Sequence, residues 1–234
     1  MSTSTPSQTP TVPELPSLEP GITLLETGDN PRGPLHTLVV DHVLTTRGRA
    51  VWVDTHGHAT TQPLARLAPT PRVLDRIHVA RGFTQYQHVA IVDALATHLD
   101  DDTEVIVVPA VDALYRADEC YRGEGTELLL QTLATLARYS REHDVPVLVT
   151  RTRADAFSEP VAAAAGETIH CEHTREGPRF VADGFETLVY PTSHGHVQTT
   201  LAFWQRILEA RRPLYDHTPA HQTRPQEVFA SGSH

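Results

Sequence analysis

The sequence predicts an α/β domain built on a mostly parallel sheet, with helices on both faces and antiparallel strands added at its C-terminal edge. Three observations carry this prediction. Short apolar runs alternate with longer segments of helical periodicity over residues 21–150. The apolar runs lack polar alternation, which is typical of parallel strands that are covered on both faces. Over residues 167–191 strand-like segments follow one another around a polar turn, with no helical pattern between them.

Each element follows from its own stretch of sequence. The strands of the parallel part are predicted at residues 22–27, 50–54, 76–80, 104–111 and 145–150. The helices that connect them are predicted at residues 34–48, 85–99 and 125–144. The antiparallel strands fall within residues 167–191, and a last amphipathic helix is predicted at residues 196–212.

The length of 234 residues suits one such domain with tails. A Ser-, Thr- and Pro-rich segment over residues 1–20 is predicted to be disordered because it is poor in apolar residues. The core domain is predicted to span residues 21–192, followed by a C-terminal helix at 193–213 and a flexible tail at 214–234.

The charge balance is strongly acidic, with 19 basic residues against 29 Asp and Glu residues and a formal net charge of −10. All of the basic residues are Arg, and the chain contains no Lys. This composition predicts a halophilic protein from a high-salt cytoplasm, as in haloarchaea. At molar salt the Debye length is roughly 3 Å, so the acidic balance argues only mildly against nucleic-acid binding. It does exclude a dominant basic patch.

No apolar run in the sequence approaches the length of a membrane span, and no charged-then-apolar leader precedes the domain. We therefore expect a cytoplasmic protein without a membrane partner. The two cysteines, Cys120 and Cys171, are too few for a disulfide framework in a chain of this length and are expected to be reduced.

Between the first strand and the first helix lies a stretch with the outline of a phosphate-binding loop. Two glycines are separated by four residues, and the candidate loop residues are Gly28, Asp29, Asn30, Arg32 and Gly33. A functional loop of this kind continues with Lys and then Ser or Thr, but Pro34 and Leu35 occupy those positions. The loop is therefore predicted to be degenerate.

Further segments give a resemblance to a known family. They include an apolar strand, an Ala-Leu-Tyr-Arg stretch after it, and an Arg-Gly-Glu turn before a long helix. The segments concerned are residues 51–57, 78–88, 105–108, 113–116, 122–124 and 147–150. Their order and spacing resemble the archaeal RadA/RadB recombinases over roughly residues 20–191, which implies a RecA-like fold.

The resemblance also implies which residues an active ATPase would need. In that family a Lys contacts the phosphates, a Ser or Thr and a strand-end acid serve Mg²⁺, and a Glu and a Gln act on the attacking water and the phosphate. The corresponding positions here are Pro34, Leu35, Pro109, His56 and Thr152. The resemblance therefore implies a pseudo-ATPase with no catalytic residues and no required cofactor, although weak ATP binding stays open.

The same resemblance places candidate contacts for DNA or a protein partner in two loops. Arg116 and Arg122 lie in the first loop, and Arg151 and Arg153 lie in the second. Because acidic residues lie among these arginines, we expect single-stranded DNA binding to be weak at most. Solvated loops with local ion pairs are the alternative. The expected partner is a protein, with a RadA-type recombinase as the candidate, in DNA recombination and repair.

Two other functions stay open. The first is a regulatory scaffold of the KaiC-like type, unconnected with DNA. The second is a metal-dependent enzyme built on the histidine clusters at residues 56–58, 170–173 and 194–196. No metal site is predicted, because residues that alternate along a strand supply too few ligands on one face.

Overall fold

The fold places eight strands in one sheet. In the computed structural model the described residues are 12–28, 31–116, 123–174, 177–187 and 200–217. The strands are β1 (Gly21–Thr27), β2 (Arg49–Asp54), β3 (Ile77–Arg81), β4 (Thr103–Val108), β5 (Pro146–Val149), β6 (Glu167–Thr174), β7 (Gly177–Ala182) and β8 (Phe185–Glu186). Their order in the sheet is β3-β2-β4-β5-β1-β6-β7-β8.

Strands β1 to β6 pair with one another in parallel. Strand β7 pairs antiparallel with β6, and β8 pairs antiparallel with β7. This arrangement confirms the predicted fold class, including the antiparallel edge. The central strands are nearly continuous runs of Val, Ile and Leu because helices cover both of their faces.

Helices connect the parallel strands. The helices are α1 (Arg32–Thr46), α2 (Thr61–Leu67), α3 (Gln85–Ala94), α4 (Glu124–His143), α5 (Glu159–Ala164) and α6 (Thr200–His217). Short 3₁₀ turns lie at Pro71–Arg76, Leu95–Thr97 and Ala113–Arg116. The predicted helix at 85–99 therefore ends earlier, as α3 and a following 3₁₀ turn. None of the helices in these ranges is long and apolar enough to cross a membrane.

Two hydrophobic cores lie on opposite faces of the sheet. Side chains from α1, α2 and α6 form one core, and those from α3, α4 and α5 form the other. Strand β4 contributes to both, since successive residues point to opposite faces: Val105 and Val107 face the first core, and Ile106 and Val108 the second. With both faces of the sheet covered, a ligand site is expected at the carboxyl ends of the parallel strands.

The predicted N-terminal disorder is wrong for residues 12–20. In this segment Leu15 and Leu18 are buried in the first core, and the carbonyl of Pro13 accepts a hydrogen bond from Arg211 at 2.6 Å. The prediction rested on the polar composition of the whole segment. The two buried leucines supply enough apolar surface to anchor this short stretch. Residues 1–11 lie outside the described part of the chain.

The last helix is longer than predicted. Helix α6 continues through Pro213 to His217, so residues 214–217 are helical and do not belong to a flexible tail. A proline inside a helix removes one backbone hydrogen bond. Packing offsets this loss, because Tyr215 beyond the proline is buried and donates a hydrogen bond to Asp41 at 2.6 Å. The predicted start at residues 193–199 and the tail from residue 218 lie outside the described residues.

Candidate functional site

A cavity of about 470 Å³ lies where the carboxyl ends of β1, β2, β4 and β5 meet. Ligands of open α/β sheets bind at this edge, because the loops that follow parallel strands converge there. The cavity is lined by Thr27, Gly28, Pro31, His56, His58, Ala110, Ala113, Thr150, Arg151 and Thr152. We call it the strand-end cavity.

The predicted phosphate loop forms one wall of this cavity. Gly28 and Pro31 line it, and the exposed Arg32 begins helix α1. Gly33 follows inside the helix, where its carbonyl accepts a hydrogen bond from the Thr37 hydroxyl at 2.8 Å. Two further predicted loop residues, Asp29 and Asn30, lie outside the described part of the chain.

The next two positions belong to the helix and not to the cavity. Pro34 and Leu35 are buried, and Leu35 is part of the first hydrophobic core. The Leu35 N–H donates to the carbonyl of Pro31 at 3.1 Å, so this amide is used by the helix itself. A proline at residue 34 has no N–H to offer a phosphate. These positions supply packing and no polar group.

Both oxygens of the carboxylate at the end of β2 accept hydrogen bonds from within the chain. Asp54 is completely buried, and its Oδ1 accepts a hydrogen bond from the Ala59 N–H at 2.9 Å. Its Oδ2 accepts from Nε of Arg81 at 2.7 Å. His56 follows in a left-handed conformation, with φ of 57°, and its exposed side chain reaches the cavity.

A histidine pair lies behind the phosphate loop. Nε2 of the buried His36 donates to the carbonyl oxygen of His58 at 2.8 Å. Burial, assisted by the nearby Arg32, lowers the pKa of His36 to about 4. Burial also lowers the pKa of His58. Both rings are therefore neutral at physiological pH, so they add no fixed positive charge to the cavity.

The turn after β4 lies opposite the phosphate loop. The carbonyl of Pro109 accepts a hydrogen bond from the Thr55 hydroxyl at 3.2 Å. Ala110 has φ of 47°, and its N–H donates to the Thr150 hydroxyl oxygen at 2.8 Å. Pro109 thus supplies a backbone acceptor at the position that the sequence predicts to correspond to the strand-end acid.

The arginines predicted to contact DNA or a partner differ in their ion pairs and in the exposed fraction of their side chains. Arg116 pairs with Asp112 and Asp155 and is 13% exposed, and Arg151 pairs with Glu26 and is 11% exposed. In contrast, Arg153 pairs with Asp155 through one nitrogen and is 71% exposed. The described loops therefore present mainly one arginine to solvent. Arg122 lies outside the described residues.

The histidine clusters are dispersed in the described part of the chain. His56 and His58 line the strand-end cavity, whereas the cluster at 170–173 lies on β6. There His170 is exposed and Cys171 is buried, and burial raises the pKa of the Cys171 thiol to about 12. No three potential metal ligands converge among the described residues. Cys120 and the cluster at 194–196 lie outside them.

Comparison with known proteins decides the family. The Rad51 family model matches residues 35–172, which is more than half of the chain. The chain belongs to the Rad51 family. This membership confirms the resemblance to the RecA/RadA/RadB recombinases, and the matched range begins immediately after Pro34.

Curated members of the Rad51 family match over part of their length. Meiotic recombination protein DMC1 homolog A of Oryza sativa subsp. indica is 29% identical over 129 residues, which is 49% of this chain and 38% of that protein. DNA repair and recombination protein RadB of Thermococcus gammatolerans is 28% identical over 140 residues, 57% of this chain and 62% of that protein. The mouse DMC1/LIM15 homolog is 28% identical over 131 residues, 49% and 38% of the two chains.

Sequence reasoning missed the ion pair and the hydrogen bond that engage the buried carboxylates beside this cavity. Arg81 and Asp54 are 27 residues apart, and Thr152 and Asp112 are 40 apart. No local pattern connects such residues. One signal was available, because Asp112 and Arg116 have the i,i+4 spacing of a helical ion pair.

Proposed function

We propose that this Rad51-family chain is a non-catalytic accessory protein in DNA recombination and repair, which acts by binding a protein partner. One observation carries the proposal. Asp54 and Asp112 lie within two residues of residues that line the strand-end cavity, and both are fully buried and engaged within the chain, while Pro34, Leu35 and Pro109 lie at the positions predicted for polar catalytic groups.

Phosphoryl transfer on this fold depends on positioning and on electrostatic stabilisation of the transferred phosphate. A Lys and a Mg²⁺ ion supply most of that positive charge. Asp54 already accepts hydrogen bonds from Arg81 and from the Ala59 amide, so a metal ion there would compete with a charged donor. Leaving a charged group buried without its partner is strongly unfavourable. This supports loss of hydrolysis.

The assignment to recombination comes from the relatives. The rice and mouse proteins carry meiotic recombination in their names, and the Thermococcus protein carries DNA repair and recombination. A RadA-type recombinase is therefore the partner that we propose. Direct DNA binding is a weaker contribution, since Arg116 and Arg151 are already neutralised by carboxylates and affinity for the phosphate backbone depends on free cations.

The loss of catalysis is tested by ATP hydrolysis with Mg²⁺ at molar KCl. We expect no turnover above the background of a mock purification. Three variants sharpen the test: Asp54→Asn, Asp112→Asn and, as the matched control, Asp75→Asn at an exposed position before the amino end of β3. Steady turnover that Asp75→Asn keeps and either buried variant abolishes would contradict the proposal.

The accessory role is tested by calorimetric titration of the purified chain with a RadA-type recombinase from the same cells. We expect saturable binding without nucleotide, and a changed rate of strand exchange when the chain is added to the recombinase. A parallel titration with single-stranded DNA over a salt series should show weak binding that disappears as salt rises. Absence of recombinase binding contradicts the proposal and favours a regulatory scaffold.

A further inference from the structure

A hydrogen-bonded unit joins the turn after β4 to the segment that follows β5, residues 151–158. Its centre is Asp112, whose carboxylate is fully buried. Oδ1 of Asp112 accepts hydrogen bonds from the Thr152 N–H at 2.7 Å and from the Thr152 hydroxyl at 3.1 Å. Oδ2 accepts from Nε of Arg116. One carboxylate thus links both loops.

The other side of the Arg116 guanidinium binds the same segment further along. Its two terminal nitrogens donate to the two oxygens of Asp155, each at 2.8 Å, in the bidentate geometry that makes such pairs strong. The Phe157 ring lies 4.8 Å from the guanidinium carbon. Ser158 completes the unit, because its N–H donates to Asp155 and its hydroxyl donates to the carbonyl of Arg153 at 2.6 Å.

The start of this segment and the preceding Thr150 form part of the wall of the strand-end cavity. Thr150, Arg151 and Thr152 line the cavity, but the polar group of each already has a partner inside the chain. The Thr150 hydroxyl accepts from the Ala110 N–H, Arg151 donates to Glu26 at 2.7 Å, and Thr152 is held by Asp112. At this wall, a molecule in the cavity therefore meets side chains that already have hydrogen-bond partners within the chain.

The geometry points to a constitutive clamp, in which Asp112 and Arg116 hold residues 151–158 in one conformation whether the strand-end cavity is empty or occupied. A ligand shifts a conformational equilibrium only by its difference in affinity for the two states. Releasing Thr152 would strip the buried Asp112 of two of its donors, so a weakly bound ligand cannot drive that change. The clamp also keeps Arg153, which pairs with Asp155 and is 71% exposed, accessible to a partner independently of any nucleotide.

Residue-resolved amide hydrogen exchange on the full chain tests the clamp, with and without ATP and Mg²⁺. The variants are Arg116→Lys, which keeps the charge but cannot bind on two sides, and Asp155→Asn at a partly exposed site. The matched control is Arg138→Lys, from the exposed Arg138–Glu142 pair on α4. We expect protected amides at Thr152 and Ser158 in the wild type.

In Arg116→Lys and Asp155→Asn these amides should exchange at least about tenfold faster, as expected for loss of hydrogen bonds to charged groups. Amides of β1 should not change, and Arg138→Lys should behave as the wild type. Unprotected amides in the wild type, protection that changes with ATP, or protection that survives both clamp variants overturns the inference. The outcome is separate from the hydrolysis assay, since exchange reports the loop and not turnover.

Discussion

Arg211 buries a positive charge between the last helix and the helix that follows the phosphate loop. Its Nε and one terminal nitrogen donate to the two oxygens of Asp41, at 2.6 and 2.9 Å. The remaining terminal nitrogen donates to the carbonyl of Pro13, and Tyr215 also donates to Asp41. All three nitrogens of the Arg211 guanidinium donate to acceptors, so three separate parts of the chain depend on one side chain.

Replacing this arginine should therefore be costly. We predict that Arg211→Ala lowers the free energy of unfolding by about 3–5 kcal/mol, because it leaves the Asp41 charge buried without its partner. The neighbouring Arg212 pairs with Glu209 at the surface, and Arg212→Ala should cost less than about 1 kcal/mol. Urea unfolding of both variants at one KCl concentration measures the difference. Equal losses would contradict this account of the pair.

A buried histidine gives the chain a specific response to acid. Nδ1 of His88 is 2.6 Å from the Tyr115 hydroxyl, which in turn is 2.6 Å from the Thr132 hydroxyl. Burial lowers the pKa of His88 from 6.5 to about 4. Between these two values the unfolded chain binds a proton that the folded chain does not, so stability is complete above the upper value and falls as pH decreases towards the lower one.

We predict that His88 accounts for about 2 kcal/mol of the stability lost between about pH 7 and about pH 5. In His88→Gln this contribution disappears, so the same acidification should cost the variant about 2 kcal/mol less, even if its stability at neutral pH is lower. The control is His98→Gln, at an exposed position. Urea unfolding at several pH values measures the slopes. A His88→Gln slope equal to that of the control would refute the assignment.

At the scale of elements, the end of helix α4 positions the strands that build the site. The Ser140 hydroxyl donates to the carbonyl of Val145 at 2.7 Å and accepts from the Gly21 N–H at 2.7 Å, so the helix end is tied to β5 and β1. Asp144 ends the helix with φ of 55°, and its N–H donates to the carbonyl of Ser140. A left-handed residue at this place is usually Gly.

We predict that Asp144→Gly leaves stability unchanged or raises it by up to about 1 kcal/mol, since Gly adopts this conformation without strain and removes a negative charge from the helix C-terminus. The matched change inside the same helix is Ala134→Gly, at an exposed position. It should cost about 1 kcal/mol. Thermal unfolding compares the two. Destabilisation by Asp144→Gly as large as that by Ala134→Gly would show that the left-handed conformation is not the limiting factor.

Elements were predictable from the sequence in proportion to their periodicity and length. The buried strands and the helices α1 and α4 each show a clear pattern, and their bounds agree with the structure to within about two residues, except that the strand predicted at 104–111 ends at Val108. Helices α2 and α5 have seven and six residues, too few to show a helical period. The packing of residues 12–20 depends on a tertiary contact with Arg211, and the continuation of α6 beyond Pro213 on one with Asp41, and no local pattern carries either contact.

The candidate site also has a part that the sequence predicts and a part that depends on tertiary contacts. The sequence predicts Pro34, Leu35 and Pro109 as substituted positions, because a motif fixes where the expected polar groups should lie. What replaces them is not visible. The engagement of Asp54 and Asp112 depends on strands and turns that only the folded sheet brings together.

The whole molecule carries a formal net charge of −10, which makes its stability depend on salt. Self-repulsion destabilises a compact state with a large net charge, and added salt screens that repulsion. The Debye length falls from about 10 Å at 0.1 M to about 3 Å at 1 M, so most of the screening develops within that range. Repulsion between separated surface carboxylates should weaken more than the buried pairs such as Arg211–Asp41.

We predict that the unfolding temperature rises with KCl from about 0.1 M to about 1 M and then flattens if screening is the cause. A variant with Asp75, Asp93 and Asp101 changed to Asn removes three exposed negative charges, so its net charge becomes −10 + 3 = −7. It should be more stable at low salt and show a shallower rise. Thermal unfolding of both proteins over the KCl series measures this. If the wild type and the variant have identical salt dependence, and stability keeps rising beyond 1 M, then specific ion binding and not net charge sets the response.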